Sequence, residues 1–413
     1  MQDKKEPSFF FNGWEFIPFL LFATSVFFSR ALLSVSVGLM LIWSILLLKK
    51  NKTIFKSIFT KTSKRLLILL CVWVLFVIFD FFRTENSTDW LTEIALKIPI
   101  LIVSLYAILL PKTSCKNENS WLILVTITAL TAVVSAVNYF INYQEINELL
   151  LQSKHVPIFS NMHHIYFGVY CTIAIWVSMY FYKNGTKATW WASIGIVLFV
   201  LMHILVSRTG LVSLYASIVV FLIANEWKSK RYKRLLISLI VLLCLPIVGY
   251  TVSSSFRNKV LNSLEDFNAL KSQKEINYKS LAMRVEAWKT SLHVIQNNAV
   301  IGVGATNTDR YLQKQYVQDE TVLYKDNRVG PHNQFLEITM AHGLMGLMLL
   351  LAFLLIWFVS IKRNPILLAV FVAFFVSLML ESFLERQQGI LLFCIFVFAF
   401  IPVPSTINKE TET

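Results

Sequence analysis

Long apolar runs alternate with short polar connections along almost the whole chain. A helix needs about 20 mainly apolar residues to cross a bilayer core of roughly 30 Å. On that measure the pattern predicts twelve membrane spans, at about 14–29, 31–48, 66–82, 92–110, 121–140, 164–182, 190–206, 209–225, 235–252, 336–360, 365–381 and 388–404. The first two form one run broken only by Ser29-Arg30. It reads as a tight helical hairpin, with one span plus a re-entrant piece as the alternative.

One connection breaks the rhythm. Residues 253–335 turn toward Lys, Asn, Gln, Asp and Glu, and a connection of that length is usually functional or a small domain. Phe256, Val260, Leu264, Phe267 and Leu270 recur at helical spacing over 256–273. Leu281, Val285, Trp288, Leu292 and Ile295 do the same over 280–297. Such helices suit a membrane face or the cap of a cavity. Gly302-Val303-Gly304 permits a sharp turn, and 305–329 reads as irregular. The loop closes on Gly330-Pro331-His332-Asn333. The expected organisation is nine spans in 1–252, a helical loop in 253–335, and three spans with a tail in 336–413.

Composition supports this reading. Of 413 residues, 56% are hydrophobic and 15% charged, against roughly 45–50% and about 25% for a soluble domain. This excludes an ordinary soluble enzyme, a disordered chain and a disulfide scaffold. Cys71, Cys115, Cys171, Cys244 and Cys394 all fall outside the long loop, so no structural disulfide is expected. The net charge of +14 arises from 38 Lys+Arg and 24 Asp+Glu. With the N-terminus in the cytoplasm, 21 of the 38 positives fall in inner connections, and the short outer ones hold only Arg30, Arg83, Lys154, Arg208 and Arg386. The positive-inside rule therefore favours cytoplasmic termini and a periplasmic long loop. It explains most of the charge without nucleic acid. The first apolar run lacks a small-residue cleavage site and reads as a retained signal anchor.

Several residues could carry chemistry. Arg208, in Ser207-Arg208-Thr209-Gly210, sits between two spans as either a snorkelling arginine or an anion ligand. Arg284 precedes Trp288 by four residues, so the two share a helix face. It is either solvated or a bidentate phosphate ligand. His332 at the outer boundary is either structural or a general base, and Asn333 can cap the following span. Lys97, two residues before Pro99, either snorkels or adds positive charge near a diphosphate. Asp80, Arg83, Glu85, Asp89 and Glu93 read as a solvated loop, with a base or metal ligand as the alternative. His163, His164 and His203 lie at outer span ends, and a metal site made from them with His332 is disfavoured by their spacing. Glu385 and Arg386 suit a fixed span end, while Glu381 has no assigned role. Glu337 could pair with an arginine.

The order Arg284-x-x-x-Trp288, Gly302-x-Gly304, His332-Asn333-x-x-Leu336 and Gly343-x-x-Gly346, with the Ser207-Arg208 turn upstream, resembles the shared signature of O-antigen ligases and O-antigen polymerases. The motifs cover roughly 190–360, and the layout of spans resembles the family throughout. One departure is Asn298-Ala299-Val300, where the family often has a proline. The resemblance implies a membrane glycosyltransferase of the GT-C type. Its donor would be an undecaprenyl-diphosphate-linked glycan at the periplasmic face of the inner membrane. Arg208 and Arg284 would bind the diphosphate, assisted by Trp288, Asn333 and Lys97. His332 would deprotonate or orient the acceptor, with inversion at the anomeric carbon. No Asp-x-Asp occurs, so neither a metal nor another cofactor is expected.

Three acceptors share these motifs: lipid A–core for a ligase, a second lipid-linked repeat for a polymerase, and a protein hydroxyl for an O-oligosaccharyltransferase. The ligase is favoured because the single long loop comes late and a second long basic loop is missing. A flippase or transporter is the reading outside the family, but the span centres carry almost no ionisable groups. A purely structural scaffold explains neither the arginines nor the loop.

Overall fold

The computed structural model describes residues 16–50, 59–110, 114–152, 154–205, 207–227, 229–272 and 276–401. The tail, and Lys4, Lys5, Lys52, Lys56, Lys112, Lys228, Lys274 and Lys409 of the orientation argument, lie outside these. The described residues form helices and no strands. We number them α1 (Phe16–Phe28), α2 (Arg30–Lys50), α3 (Lys61–Phe79), α4 (Ser87–Leu109), α5 (Ser114–Ile141), α6 (Tyr143–Leu151), α7 (His164–Asn184) and α8 (Ala188–Leu205). There follow α9 (Arg208–Leu222), α10 (Tyr232–Val252), α11 (Ser254–Ser272), α12 (Ser280–Asn297), α13 (Thr308–Gln318), α14 (Gln334–Ile361), α15 (Pro365–Leu380) and α16 (Gln387–Ala399).

Every predicted span coincides with one of these helices. Nine of the described helices are long and apolar enough to cross a membrane, while α1, α15 and α16 are shorter apolar helices. The protein is thus an all-α polytopic membrane protein. Its helices start where short polar side chains accept the free N–H groups of the first turn. Asn86 accepts from Thr88 at the start of α4, Asn333 from Phe335 and Leu336 before α14, and Asn364 from Ile366 and Leu367 before α15.

The bundle is ordered by exposure. In α7, 72% of the spanning window is buried by protein, against 11% in α10, which therefore faces lipid. Small residues let α7 and α9 touch backbone to backbone. A Cβ on Gly210 would stand 2.8 Å from the Gly168 backbone. Thr172 Oγ1 also donates to the Gly210 carbonyl (3.1 Å). This close crossing fixes the first turn of α9, and with it Arg208.

Two helices go beyond the expectation. The stretch 305–329 is not irregular throughout, because α13 forms with Leu312 and Tyr316, four apart, buried on one side. The connection after α5 contains α6, which buries Ile146 and Leu150. Both are short, and each buries only two apolar residues, too few to show a period.

The predicted loop helices do form, and α11 buries polar residues beside Phe256, with Val260 and Leu270 half-buried against the protein. Lys259, Asn262 and Asp266 are buried, whereas Leu264 and Phe267 are 55% and 61% exposed. Asn262 donates to the Leu150 carbonyl (2.6 Å), and the Lys259 ammonium bonds the Lys154 carbonyl. Lys259 and Asn262 thus dock on the segment around α6, and of the predicted apolar positions only Leu264 and Phe267 face outward.

The loop is fastened to the bundle by two glycine turns that interlock. Gly343 has φ +63° inside α14 and kinks it. The carbonyls released at Met340 and Ala341 accept the N–H groups of Val303 and Gly304 (both 2.8 Å), and Leu344 N–H reaches the Ala299 carbonyl (2.8 Å). Gly302 has φ +67°, and a Cβ there would stand 2.5 Å from the Ala341 carbonyl oxygen. A Cβ on Gly343 would overlap the Val300 carbonyl. Asp80 completes the fastening and corrects the solvated-loop reading. It is fully buried, pairs with Arg83, and accepts from Ala305 N–H (2.8 Å), while Arg83 donates to the Ile301 carbonyl (2.9 Å).

Candidate functional site

At the end of the bundle that carries the long loop, three elements converge. Arg208 is the first residue of α9, whose N-cap is Ser207. Its Nη1 lies 3.0 Å from Asp266 Oδ2, and Asp266 is 1% exposed. The same oxygen accepts the Leu281 N–H at the start of α12 (3.3 Å). One turn further along α12, Arg284 donates Nη1 to the Leu380 carbonyl (2.6 Å) and places Nη2 3.4 Å from Glu381 Oε2. Glu381 in turn stands 2.9 Å from His332 Nδ1. The arrangement runs Arg208–Asp266–α12–Arg284–Glu381–His332, with two buried carboxylates linking the three candidate residues.

The carboxylates orient the arginines without exhausting them. A guanidinium has five N–H donors in a fixed fork. The Asp266 contact uses one nitrogen of Arg208, whose side chain is 33% exposed. The remaining donors can take anionic oxygens.

Trp288 and Asn333 shape the turn that presents His332. The Trp288 indole N–H bonds the Pro331 carbonyl (2.6 Å), so α12 holds the residue before the histidine. The Asn333 side chain caps α14 from the other side. His332 itself has φ +44°, a left-handed conformation unusual for a residue with a side chain. It is therefore held from both flanks in a conformation that the local chain does not prefer.

Charge at the site follows from these contacts. Burial raises the pKa of Glu381, but the hydrogen bond from His332, and Arg284 beside it, outweigh burial and hold it below the usual carboxylate range. Burial lowers Arg284 from its ordinary value; Glu381 opposes this and Arg208 reinforces it. Lys259, on the buried stripe of α11, is pushed down to about 8 by burial and by Arg208, with Asp266 opposing. His163 is also lowered, chiefly by burial and next by Arg386, and it senses both Glu381 and His332. A third cationic side chain and a second imidazole thus adjoin the three predicted residues.

The other candidates fall elsewhere. Lys97 neither snorkels nor joins the arginines. It is 2% exposed, pairs with Glu385 (2.7 Å), donates to the Leu384 carbonyl (3.0 Å) and lies over the Trp73 ring. An amine buried beside a carboxylate from a distant turn is held by that pair, and breaking it by removing one partner costs roughly 3–5 kcal/mol. Glu337 accepts from Ser382 (3.2 Å) rather than meeting an arginine. His203 is satisfied by the Phe199 carbonyl and the Tyr215 hydroxyl. Glu381, Asp266 and Lys259 are the site residues that the sequence reading left without a role. Asp266 and Lys259 carried a signal in the polar stripe at 259, 262 and 266; Glu381 carried only its place at the end of an apolar run.

Fold and site together define a polytopic helical membrane protein with a cationic, histidine-bearing rim where the long loop meets the ends of α9 and α15. A family model described as O-antigen ligase matches residues 191–351, consistent with the ligase and polymerase family that the motifs resemble. That segment contains Arg208, Arg284, Trp288, His332, Asn333 and all the glycines of the interlock. An uncharacterized protein of Haemophilus influenzae (strain ATCC 51907 / DSM 11121 / KW20 / Rd) is 26% identical over 192 residues, which is 45% of this chain and 46% of that protein. The chain therefore spans about half the length of the curated relative it matches.

Proposed function

We propose that the protein is a glycosyltransferase of the O-antigen ligase type. It acts at the periplasmic face of the bacterial inner membrane, moving a glycan from undecaprenyl diphosphate to an acceptor hydroxyl, for which we favour lipid A–core. The observation that carries this reading is the carboxylate-linked array of Arg208, Arg284 and His332 at one rim of a lipid-immersed bundle.

The array suits a direct displacement. The two guanidiniums hold the diphosphate and stabilise the charge that grows as the bond from sugar to phosphate breaks. They supply positive charge that a divalent ion supplies in other phosphate sites. An ionised Glu381 only accepts, so the proton sits on His332 Nδ1 and leaves Nε2 free as a base. Nε2 takes the acceptor proton as the hydroxyl oxygen attacks the anomeric carbon from the face opposite the leaving diphosphate, and the configuration inverts. The bond's electron pair departs on the phosphate oxygen.

Arg208→Ala, Arg284→Ala and His332→Ala are each expected to abolish glycan transfer while membrane insertion persists; full activity in any of them removes that residue from the mechanism. Gel analysis of lipopolysaccharide from a deletion strain selects the acceptor. Unsubstituted core with accumulated lipid-linked polymer supports the ligase. Core bearing a single repeat replaces it with a polymerase, and an unchanged lipopolysaccharide profile moves the acceptor to a protein or another glycan. Lipid-linked glycan trapped on the cytoplasmic face indicates a flippase. A reporter fused after Lys274 is expected on the periplasmic side.

A further inference from the structure

Behind the His332–Glu381 pair lies a second polar space that the displacement does not use. It is a cavity of about 200 Å³ between α3, α4, α14 and the start of α13, lined by Glu93, Lys97, Thr308, Glu337, His342 and Glu385. Trp73, Ile338 and Ala341 form its apolar wall. The segment 381–385 separates it from His332. Ser382, adjoining Glu381, bonds Glu337 (3.2 Å), and Gln334, two residues after His332, bonds Glu385 (2.7 Å).

The lining lacks donors. Three carboxylates face one ammonium, and Lys97 is already committed to Glu385. Glu93 Oε2 has no hydrogen-bond partner among the described residues. Nor does His342 Nδ1, in a residue 5% exposed whose ring lines the cavity; Asp80 Oδ2 is 3.8 Å away. Glu385 is satisfied by Lys97 and Gln334 and Glu337 accepts from Ser382, but an unpartnered buried carboxylate oxygen is costly, so Glu93 Oε2 and the open ring nitrogen of His342 match the chamber to something that brings donors with it.

The chemistry narrows the ligand. A lipid tail offers no donors, and an anion is repelled by the carboxylate excess. Among the described residues no group of three or more His, Cys, Asp or Glu is arranged to hold a metal ion, and the space is much larger than an ion needs. A hydroxyl-rich ring fits on each count. Vicinal hydroxyls donate to carboxylates, which only accept. The one N–H of Lys97 not given to Glu385 or the Leu384 carbonyl can return a donor to a ring oxygen, and the apolar wall takes its C–H face.

We propose that this cavity is a sugar subsite that takes one hydroxyl-rich ring of a glycan, through Glu93, Glu337 and His342. The proposal rests on the glycan reading above for its physiological ligand, but its test needs neither donor lipid nor acceptor. Full-length protein in nanodiscs is titrated with free glucose, galactose and N-acetylglucosamine, and binding is read by saturation-transfer NMR. At least one sugar is expected to give a signal. The signal should fall fivefold or more in Glu93→Gln/Glu337→Gln and in Thr308→Trp, which fills the space, and persist in Arg284→Ala. Ala305→Trp fills the same cavity from the neighbouring turn and replaces Thr308→Trp if that variant does not fold. Absence of signal for all three sugars overturns the proposal, as does a signal that survives filling or one lost only in Arg284→Ala. Loss of transfer without loss of this signal, or the reverse, separates the fate of the cavity from that of the catalytic reading.

Discussion

His332 Nδ1 lies 2.9 Å from Oε1 and 3.0 Å from Oε2 of Glu381. One carboxylate at the end of α15 thus sets the tautomer of the histidine and, through Oε2, faces Arg284. In Glu381→Gln the amide oxygen can still accept from His332, but the charge facing Arg284 is gone. Transfer should fall at least about tenfold, a part of the ~10²–10⁴ that a positioned general base contributes, and the thermal midpoint should drop because Arg284 loses its counterion. Wild-type transfer rates in Glu381→Gln would remove the carboxylate from the mechanism. Because Glu381 is held below its usual range in the folded state, its contribution to stability is present above the ordinary carboxylate pKa. It is lost as pH falls through the lower folded value.

Asp266 joins the two arginine-bearing elements through a single oxygen, bonded to Arg208 and to the Leu281 N–H. Asp266→Asn is expected to weaken inorganic pyrophosphate binding by about tenfold, the loss of one charge-assisted contact of ~1.5 kcal/mol that orients Arg208. Calorimetric titration of the purified protein measures this directly. An unchanged affinity would mean that Arg208 is positioned by its helix cap alone.

Lys259 gives the site a pH dependence in the mildly alkaline range. With its pKa near 8 it is charged at pH 7 and largely neutral at pH 9. Pyrophosphate affinity should therefore decline between those values. Lys259→Met should bind more weakly than wild type at pH 7 and about equally at pH 9. The stability effect has the opposite sign. Between about 8 and the ordinary lysine value the unfolded chain holds the proton that the folded one has released, so this residue makes folding more favourable as pH rises.

The glycine interlock predicts intolerance on both sides of one contact. Gly343→Ala and Gly302→Ala each add a Cβ at positive φ against an opposing carbonyl. Each should cost about 1–3 kcal/mol from the backbone conformation alone, with the overlap in addition. The expected readout is a melting midpoint lowered by several degrees in detergent. An unshifted midpoint in either variant would show that the kink of α14 is not what holds the loop.

The spans were legible because twenty consecutive apolar residues admit few alternatives to a crossing helix. The two larger loop helices were legible because each repeats its apolar positions over five turns. By contrast, α6 and α13 bury two apolar residues apiece, too few to show a period. The site was half legible for a related reason. Arg208, Arg284 and His332 stand out as charged or titratable residues at membrane boundaries, where their presence is unexpected. Their organisers do not. Asp80 and Glu381 are acidic residues beside apolar runs, a place where carboxylates are usually solvated. Only tertiary closure brings Asp80 beside Ala305 and Glu381 beside His332. The pairing of Lys97 is hidden on the same ground, since its partner lies 288 residues away.

The outward positions of α11 give the bilayer a part in the geometry. Asp266 points inward to Arg208 from a helix whose other side exposes Leu264 and Phe267. Apolar side chains exposed beside a span are stabilised by contact with lipid, and membrane segments adjust to bilayer thickness at a modest cost per ångström. Lipid composition becomes a structural variable of the cationic rim: a thinner or thicker leaflet shifts the mount of one arginine relative to the other.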